Sequence, residues 1–159
     1  YCIVDEAHGA LWPFLDALPH SACNIPGVDA VIQSSHKTLG SLTQTAVLHL
    51  PFGSRLDAIT VQQAINLVHT SSPSYPLMLS LDAIRAHWQT EAGQAYLKQW
   101  HQQLIDLREG LLALPHLSLF QPDNTTGWDP SRIVLRHNRW PDDNRWAVAL
   151  EARLNLPYE

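Results

Sequence analysis

Asp5, Glu6 and His8 follow the apolar run YCIV, and Ser34, Ser35, His36 and Lys37 follow the apolar run VDAVIQ. These residue types do chemistry: a carboxylate can hold a proton on a basic nitrogen, hydroxyls can cup an anion, and an amine can attack a carbonyl carbon. Lys37 is the informative one. The chain has two lysines, and Lys98 lies in the polar run YLKQWHQQ, where a solvated helix face explains it. If the two apolar runs are neighbouring strands, their C-terminal tips bring Asp5 and Lys37 over one ligand, where open α/β sheets place their ligands. The plain alternative gives Asp5 a turn, the Ser-Ser-His run a helix cap and Lys37 a solvated surface.

The pairing of Asp5 with Lys37 has a chemical reason in an aldehyde cofactor such as pyridoxal 5'-phosphate. Its ring draws electrons only while the ring nitrogen is protonated, and a buried carboxylate beside that nitrogen favours the charged form. Asp5 suits that role. Lys37 would hold the aldehyde carbon as an imine, and the Ser34 hydroxyl with neighbouring backbone N–H groups would take the phosphate. Read instead as the metal-and-water half of a nucleotide-hydrolysis site, the DEAH run needs a Gly-rich phosphate loop carrying a Lys. The 159 residues contain none.

Positioning the two tips falls to short elements. YCIV, VDAVIQ and TAVLHL are too short for free-standing helices and end in polar or Gly-containing loops, so they read as strands. Continuously apolar YCIV and AVIQ suit strands covered on both faces, which leads to an α/β layer with a largely parallel sheet. Leu56, Ile59, Ile65 and Val68 share one side of a helix that Ser54 or Asp57 would cap. It should stop at TSSPSYP, where Pro73 and Pro76 deny backbone donors, leaving a hydroxyl-rich loop between two helices. Leu97, Trp100, Leu104, Leu107, Leu111 and Leu114 step by three and four, the stripe of a long helix starting before Gly93. LSLF and RIVLR predict two further strands around the turn-rich QPDNTTGWDP, NRWAVALEARL predicts a closing helix, and Asp142 with Asp143 a solvated turn.

Composition narrows the class. At 159 residues, 45% hydrophobic and 16% charged, the chain suits a soluble globular protein with a sizeable core. A formal net charge of −5 with scattered Lys and Arg gives no basic patch for phosphate backbones, so nucleic acid is not an expected partner. Cys2 and Cys23 have neither zinc-site spacing nor disulfide density and read as free thiols. Nine histidines show no ligand spacing such as HExxH, so no metal is expected. No run approaches the roughly 18 apolar residues of a membrane span, and the cytoplasm is the expected location. Because the chain begins at Tyr1 inside a strand-like run, we expect a piece of a longer protein.

DEAHGA, QSSHKTLGSLTQTAVLHL and TSSPSYPLMLSLDAIR together resemble the major domain of the Orn/Lys/Arg decarboxylase family, pyridoxal-phosphate enzymes of the aspartate-aminotransferase fold. The resemblance runs from Tyr1 through the long helix. It implies a fold-type-I α/β domain, with residues 1–137 the C-terminal half of the large cofactor-binding domain and 138–159 the start of a small C-terminal domain. It implies decarboxylation of arginine, lysine or ornithine, on the route to polyamines, with Lys37 the Schiff-base lysine, Asp5 the partner of the ring nitrogen and His8 lining the cofactor. Ser34 and His36 would contact the phosphate region, and His36 or Lys37 would return a proton to Cα. Thr70 and Ser72 would reach the phosphate of a neighbouring subunit, so that a homodimer or larger homo-oligomer shares its sites. The family's ring-stacking His and its other Ser/Thr phosphate contacts would lie upstream of Tyr1. The chain departs from its relatives on the substrate side, where Leu11 and Trp12 follow Ala10 in place of a second His and an aromatic. An aminotransferase or another reaction on the same fold, and a non-catalytic remnant acting as a partner subunit, stay open as alternatives.

Overall fold

The three short apolar runs of the first fifty residues are strands in the computed structural model, which describes residues 1–121, 128–139 and 145–154. β1 (Ile3–Asp5), β2 (Ala30–Gln33) and β3 (Val47–His49) form one sheet in that order. β1 and β2 are parallel, with Asp5 opposite Ile32. β3, however, runs antiparallel to β2, so the expectation of a largely parallel sheet holds for one of these two pairings. The physical reason lies in the connection. It carries a single helical turn, α1 (Ser35–Thr38), and then bends back at Gly40 (φ 98°) and Gln44 (φ 73°). A glycine tolerates that left-handed region without strain, which suits Gly40 to the reversal.

Register also decides which face is covered. Ile3, Ala30, Ile32 and Leu48 share one face, Val31 and Gln33 the other. Val31 and Gln33 are buried; on the other face Ala30 is buried but Ile3 is 61% and Ile32 37% exposed, so that face is covered only in part. Val31 packs with Ala22 and Val28, flanked by Val4 and Cys23. Asp29, at 1% exposure, fastens the opposite end of the sheet. Its carboxylate accepts the Cys2 N–H at 2.7 Å and the Arg55 N–H and Nε–H at 2.9 Å each. The Arg55 side chain holds that carboxyl far below the usual range.

Among the longer elements, α2 (Ala58–Val68) starts as expected from Asp57, whose carboxylate accepts the Thr60 N–H at 2.8 Å. It ends at Val68, and Pro76 sits in the first turn of α3 (Tyr75–Trp88). There a proline costs no helical hydrogen bond, so Pro76 opens the next helix rather than closing the last. The leucine stripe lies on α4 (Glu91–Leu112), with Leu97 and Leu104 buried, Leu107 exposed and Leu114 beyond the helix end. Leu97 joins Ala10, Leu39 and Trp88 in a second core cluster.

The chain divides into two compact units, Tyr1–Lys98 and Gln99–Glu159, and the division falls inside α4. In the second unit β4 (Leu117–Leu119) pairs antiparallel with β5 (Leu135–His137), and α5 (Arg145–Leu154) follows. Arg108 is buried there. Its guanidinium lies 4.2 Å over the Trp128 ring and donates to the Pro130 and Arg132 carbonyls at 3.2 and 3.3 Å. Residues 122–127 of the turn-rich stretch, and Asp142 with Asp143, lie outside the described residues. Cys2 and Cys23 are free thiols. Among the described residues no helix is long and apolar enough to cross a membrane, and no cluster of His, Cys, Asp and Glu could hold a metal ion.

Candidate active site

Asp5 ends β1, and the chain turns at once. The Asp5 Oδ1 accepts the Ala7 N–H at 3.0 Å, which fixes the rotation of the carboxylate. The turn continues with the Gly9 N–H donating to the Glu6 carbonyl at 2.8 Å and the Trp12 N–H to the Gly9 carbonyl at 3.0 Å. Beside it, β2 runs out through Ser34 into α1, which carries His36 and Lys37. Two backbone bonds carry the contact past the strands: Glu6 N–H to the Ile32 carbonyl at 2.9 Å and Ser34 N–H to the Ala7 carbonyl at 3.2 Å. Parallel pairing therefore sets both tips side by side.

Between them opens a cleft of about 470 Å³ lined by Val4, Asp5, Glu6, Ala7, His8, Gly9, Trp12 and Lys37. A carboxylate, an imidazole, an indole and an amine thus share one concave surface, a combination that suits a planar ligand bearing both a carbonyl carbon and a basic nitrogen. Ser34 stands at the N-terminus of α1 with no cap bond from its side chain. His36 turns elsewhere. Its Nδ1 lies 2.8 Å from the Thr45 carbonyl, which only accepts, so Nδ1 carries the proton. Thr70 and Ser72 lie in the exposed link between α2 and α3, where the Ser72 N–H donates to Thr70 Oγ1 at 3.2 Å, and neither lines the cleft.

One turn of helix cannot hold Lys37 alone, and α1 is tied at both ends. Thr45 meets His36 on one side, and the Trp88 Nε1–H donates to the Leu39 carbonyl at 2.9 Å on the other. Beneath the tips runs a polar chain of buried Ser21, Glu6 and Gln33 that ends on half-buried His49. Burial lowers the His49 pKa from its ordinary 6.5, against the opposing pull of Glu6.

With the cleft in place, comparisons with known proteins assign its family. The model of the Orn/Lys/Arg decarboxylase family, major domain, matches residues 1–145. The chain belongs to that family. An arginine decarboxylase of Halalkalibacterium halodurans is 46% identical over 138 residues, covering 84% of this chain and 28% of that protein. An uncharacterized Bacillus subtilis (strain 168) protein, YaaO, is 36% identical over 138 residues, covering 86% of this chain and 28% of its own. The chain therefore spans under a third of these relatives. Constitutive lysine decarboxylase of E. coli superposes with a TM-score of 0.62 at 20% identity, over 79% of this chain and 19% of that one. The fold is accordingly the α/β fold of a fold-type-I large domain, as the resemblance implied, over the part of the chain that superposes.

Three residues that line the cleft carry little sequence signal. Trp12, part of the departure from the relatives' pattern, lines the cleft beside Asp5, His8 and Lys37. Glu6 is the second letter of DEAH, and only its burial at 7% exposure distinguishes it from a surface acid. Gly9 has no φ that requires glycine; an added Cβ there would stand 2.5 Å from Glu6 Cγ and 2.9 Å from the Trp12 ring.

Proposed function

We propose that the full-length protein is a cytoplasmic, pyridoxal-5'-phosphate-dependent decarboxylase that converts a basic amino acid, arginine, lysine or ornithine, to its amine and carbon dioxide. The observation that carries this reading is the cleft shared by Asp5, His8 and Lys37 at the tips of two parallel strands. Its residues fit the cofactor: the volume falls in the range of cofactor sites, and the amine and the oriented carboxylate line one cleft. When bound, the cofactor draws electrons from the substrate Cα, which weakens the bond to its carboxylate. Lys37 Nζ, on the cleft wall, would hold the aldehyde carbon. The Asp5 carboxylate holds the proton on the ring nitrogen. His8 and Trp12 shield the ring and keep water from it. Of the two candidate proton donors, His36 and Lys37, the one that lines the cleft is Lys37, and it would return a proton to Cα. His36 gives its Nδ1–H to Thr45, and its Nε2, once protonated as well, would donate to the phosphate region. Arginine heads the substrate series because relatives 46% and 36% identical to this chain over 138 aligned residues are named arginine decarboxylases.

In the full-length protein Lys37→Ala should abolish the visible absorbance of the attached cofactor. Asp5→Ala should keep that absorbance but lose turnover about a thousandfold, the equivalent of roughly 4 kcal/mol. Keto-acid formation without carbon dioxide from all three amino acids would shift the assignment to an aminotransferase, and wild-type activity in Lys37→Ala would end it. The active unit in this reading is at least a homodimer, with Thr70 and Ser72 completing the neighbour's phosphate site. Replacing both by Ala should increase cofactor loss on dialysis, measured beside the sedimentation of the wild-type protein; unchanged retention would remove that role.

A further inference from the structure

Glu6 is the member of the DEAH run that no step above uses. Asp5 shares a sheet face with Ile32, and the Glu6 carboxylate meets Gln33, on the opposite face. Its oxygens are all engaged there: Oε1 accepts the Ala22 N–H at 2.8 Å, and Oε2 accepts the Ser21 hydroxyl at 2.8 Å and the Gln33 Nε2–H at 2.6 Å. A carboxylate only accepts, so it dictates the direction of the whole chain. The Gln33 amide nitrogen must face Glu6 and the Gly9 carbonyl, 3.4 Å away. Its oxygen is thereby turned to His49 Nε2 at 3.0 Å, and that nitrogen must carry the proton. One buried acid thus orders donors across β1, β2 and β3.

The two residues that border this chain are the ones that matter for the cleft. Glu6 follows Asp5, and Gln33 precedes Ser34 and the turn of helix bearing Lys37. We propose that Glu6 is a positioning residue whose buried carboxylate, acting through Gln33, holds the tips of β1 and β2 in the placement that sets Asp5 and Lys37 over one cofactor. The proposal rests on the reading of Asp5 and Lys37 given above. Polarity, not size, is what the site demands. In Glu6→Gln an amide N–H₂ enters a site built of donors, so Gln33 must flip; its oxygen then faces the Gly9 carbonyl and its nitrogen the proton on His49. Exchanging the pair, Glu6→Gln with Gln33→Glu, keeps the bond between the two side chains with its direction reversed. The new amide gives its N–H to the new carboxylate and still accepts from Ala22, and that carboxylate accepts the His49 Nε2–H; Ser21 turns from donor to acceptor, and the Gly9 carbonyl loses its long 3.4 Å bond.

The test uses the full-length protein, stripped of cofactor and titrated with pyridoxal 5'-phosphate by visible absorbance. Hydrogen exchange of segment 30–37 in the cofactor-free protein is the second readout. Glu6→Gln should weaken cofactor affinity by about tenfold or more and speed that exchange by a similar factor, and the exchanged pair should return both to within about threefold of wild type. Wild-type values in Glu6→Gln, or a folded exchanged pair no better than the single variant, overturn the proposal. If neither variant folds, Ser21→Ala decides: it removes one donor and keeps the charge, and it should move both readouts in the same direction by about threefold. Wild-type values in Ser21→Ala overturn the proposal. A wild-type protein that takes up no cofactor sinks the reading of Lys37, and the exchange comparison then decides by itself whether Glu6 holds the strand tips.

Discussion

At the residue scale, the cleft wall depends on a missing side chain. Glu6 is held by three hydrogen bonds and cannot retreat, and Trp12 stands on the other side of Gly9. A methyl group at Gly9 therefore meets one immobile neighbour and one that forms the cleft. Gly9→Ala should cost about 1–3 kcal/mol in urea unfolding, the range of overpacked sites, and should displace Trp12 enough to weaken cofactor binding. A substitution at Gly27, whose Cβ position meets nothing within 4 Å, serves as the comparison for crowding, because its positive φ of 87° strains the backbone without crowding any neighbour. Unchanged stability in Gly9→Ala would show that the Glu6 network yields.

Single turns and three-residue strands dominate at the element scale, and none of them is stable by its own hydrogen bonds. α1 is held by its neighbours, above all by the Trp88 indole of α3, which is buried against Leu39 and Leu97 and donates to the Leu39 carbonyl. Trp88→Phe retains most of the apolar area and removes the donor. It should cost about 1–3 kcal/mol, because a buried carbonyl loses its partner. Protection of the Leu39 amide, which donates to the Ser35 carbonyl at 3.0 Å, should fall with it. Equal loss of protection throughout α3 would assign the effect to α3 rather than to the clamp on α1. The same dependence shows at Pro76: the prolines of TSSPSYP mark the expected boundary between two helices, and Pro76 itself stands in the first turn of the second.

At the scale of the whole molecule, one buried and one half-buried group set how stability follows pH. Asp29, with its folded pKa held far below its ordinary 3.8 by the Arg55 side chain, contributes stability that is complete above that ordinary value and is lost as pH falls. His49 is also depressed, from 6.5 and by burial, so its contribution is complete above about that pH and declines as pH falls through the folded value. Thermal unfolding should therefore weaken in two stages on acidification, first below about pH 6.5 and again below the carboxylate range. His49→Gln should flatten the first stage and Asp29→Asn the second. A midpoint that falls equally in both variants between pH 6.5 and 5 would remove His49 from this account.

The sequence by itself determined what is local. Apolar run length placed the five strands, the three-and-four stepping placed the long helix, Asp57 announced a cap, and DEAHGA with QSSHK marked both walls of the cleft and their family. These signals survive because a helix period, a cap or a turn is decided within a few residues of itself. Tertiary structure decided the rest: the antiparallel course of β3, the exposed face of Ile3 and Ile32, Trp12 on the cleft, and the burial of Glu6. Glu6 meets Gln33 from 27 positions away, and Trp88 meets Leu39 from 49. Which acid finds its donors, and which indole its carbonyl, depends on how the chain packs over such separations, and no periodicity records that.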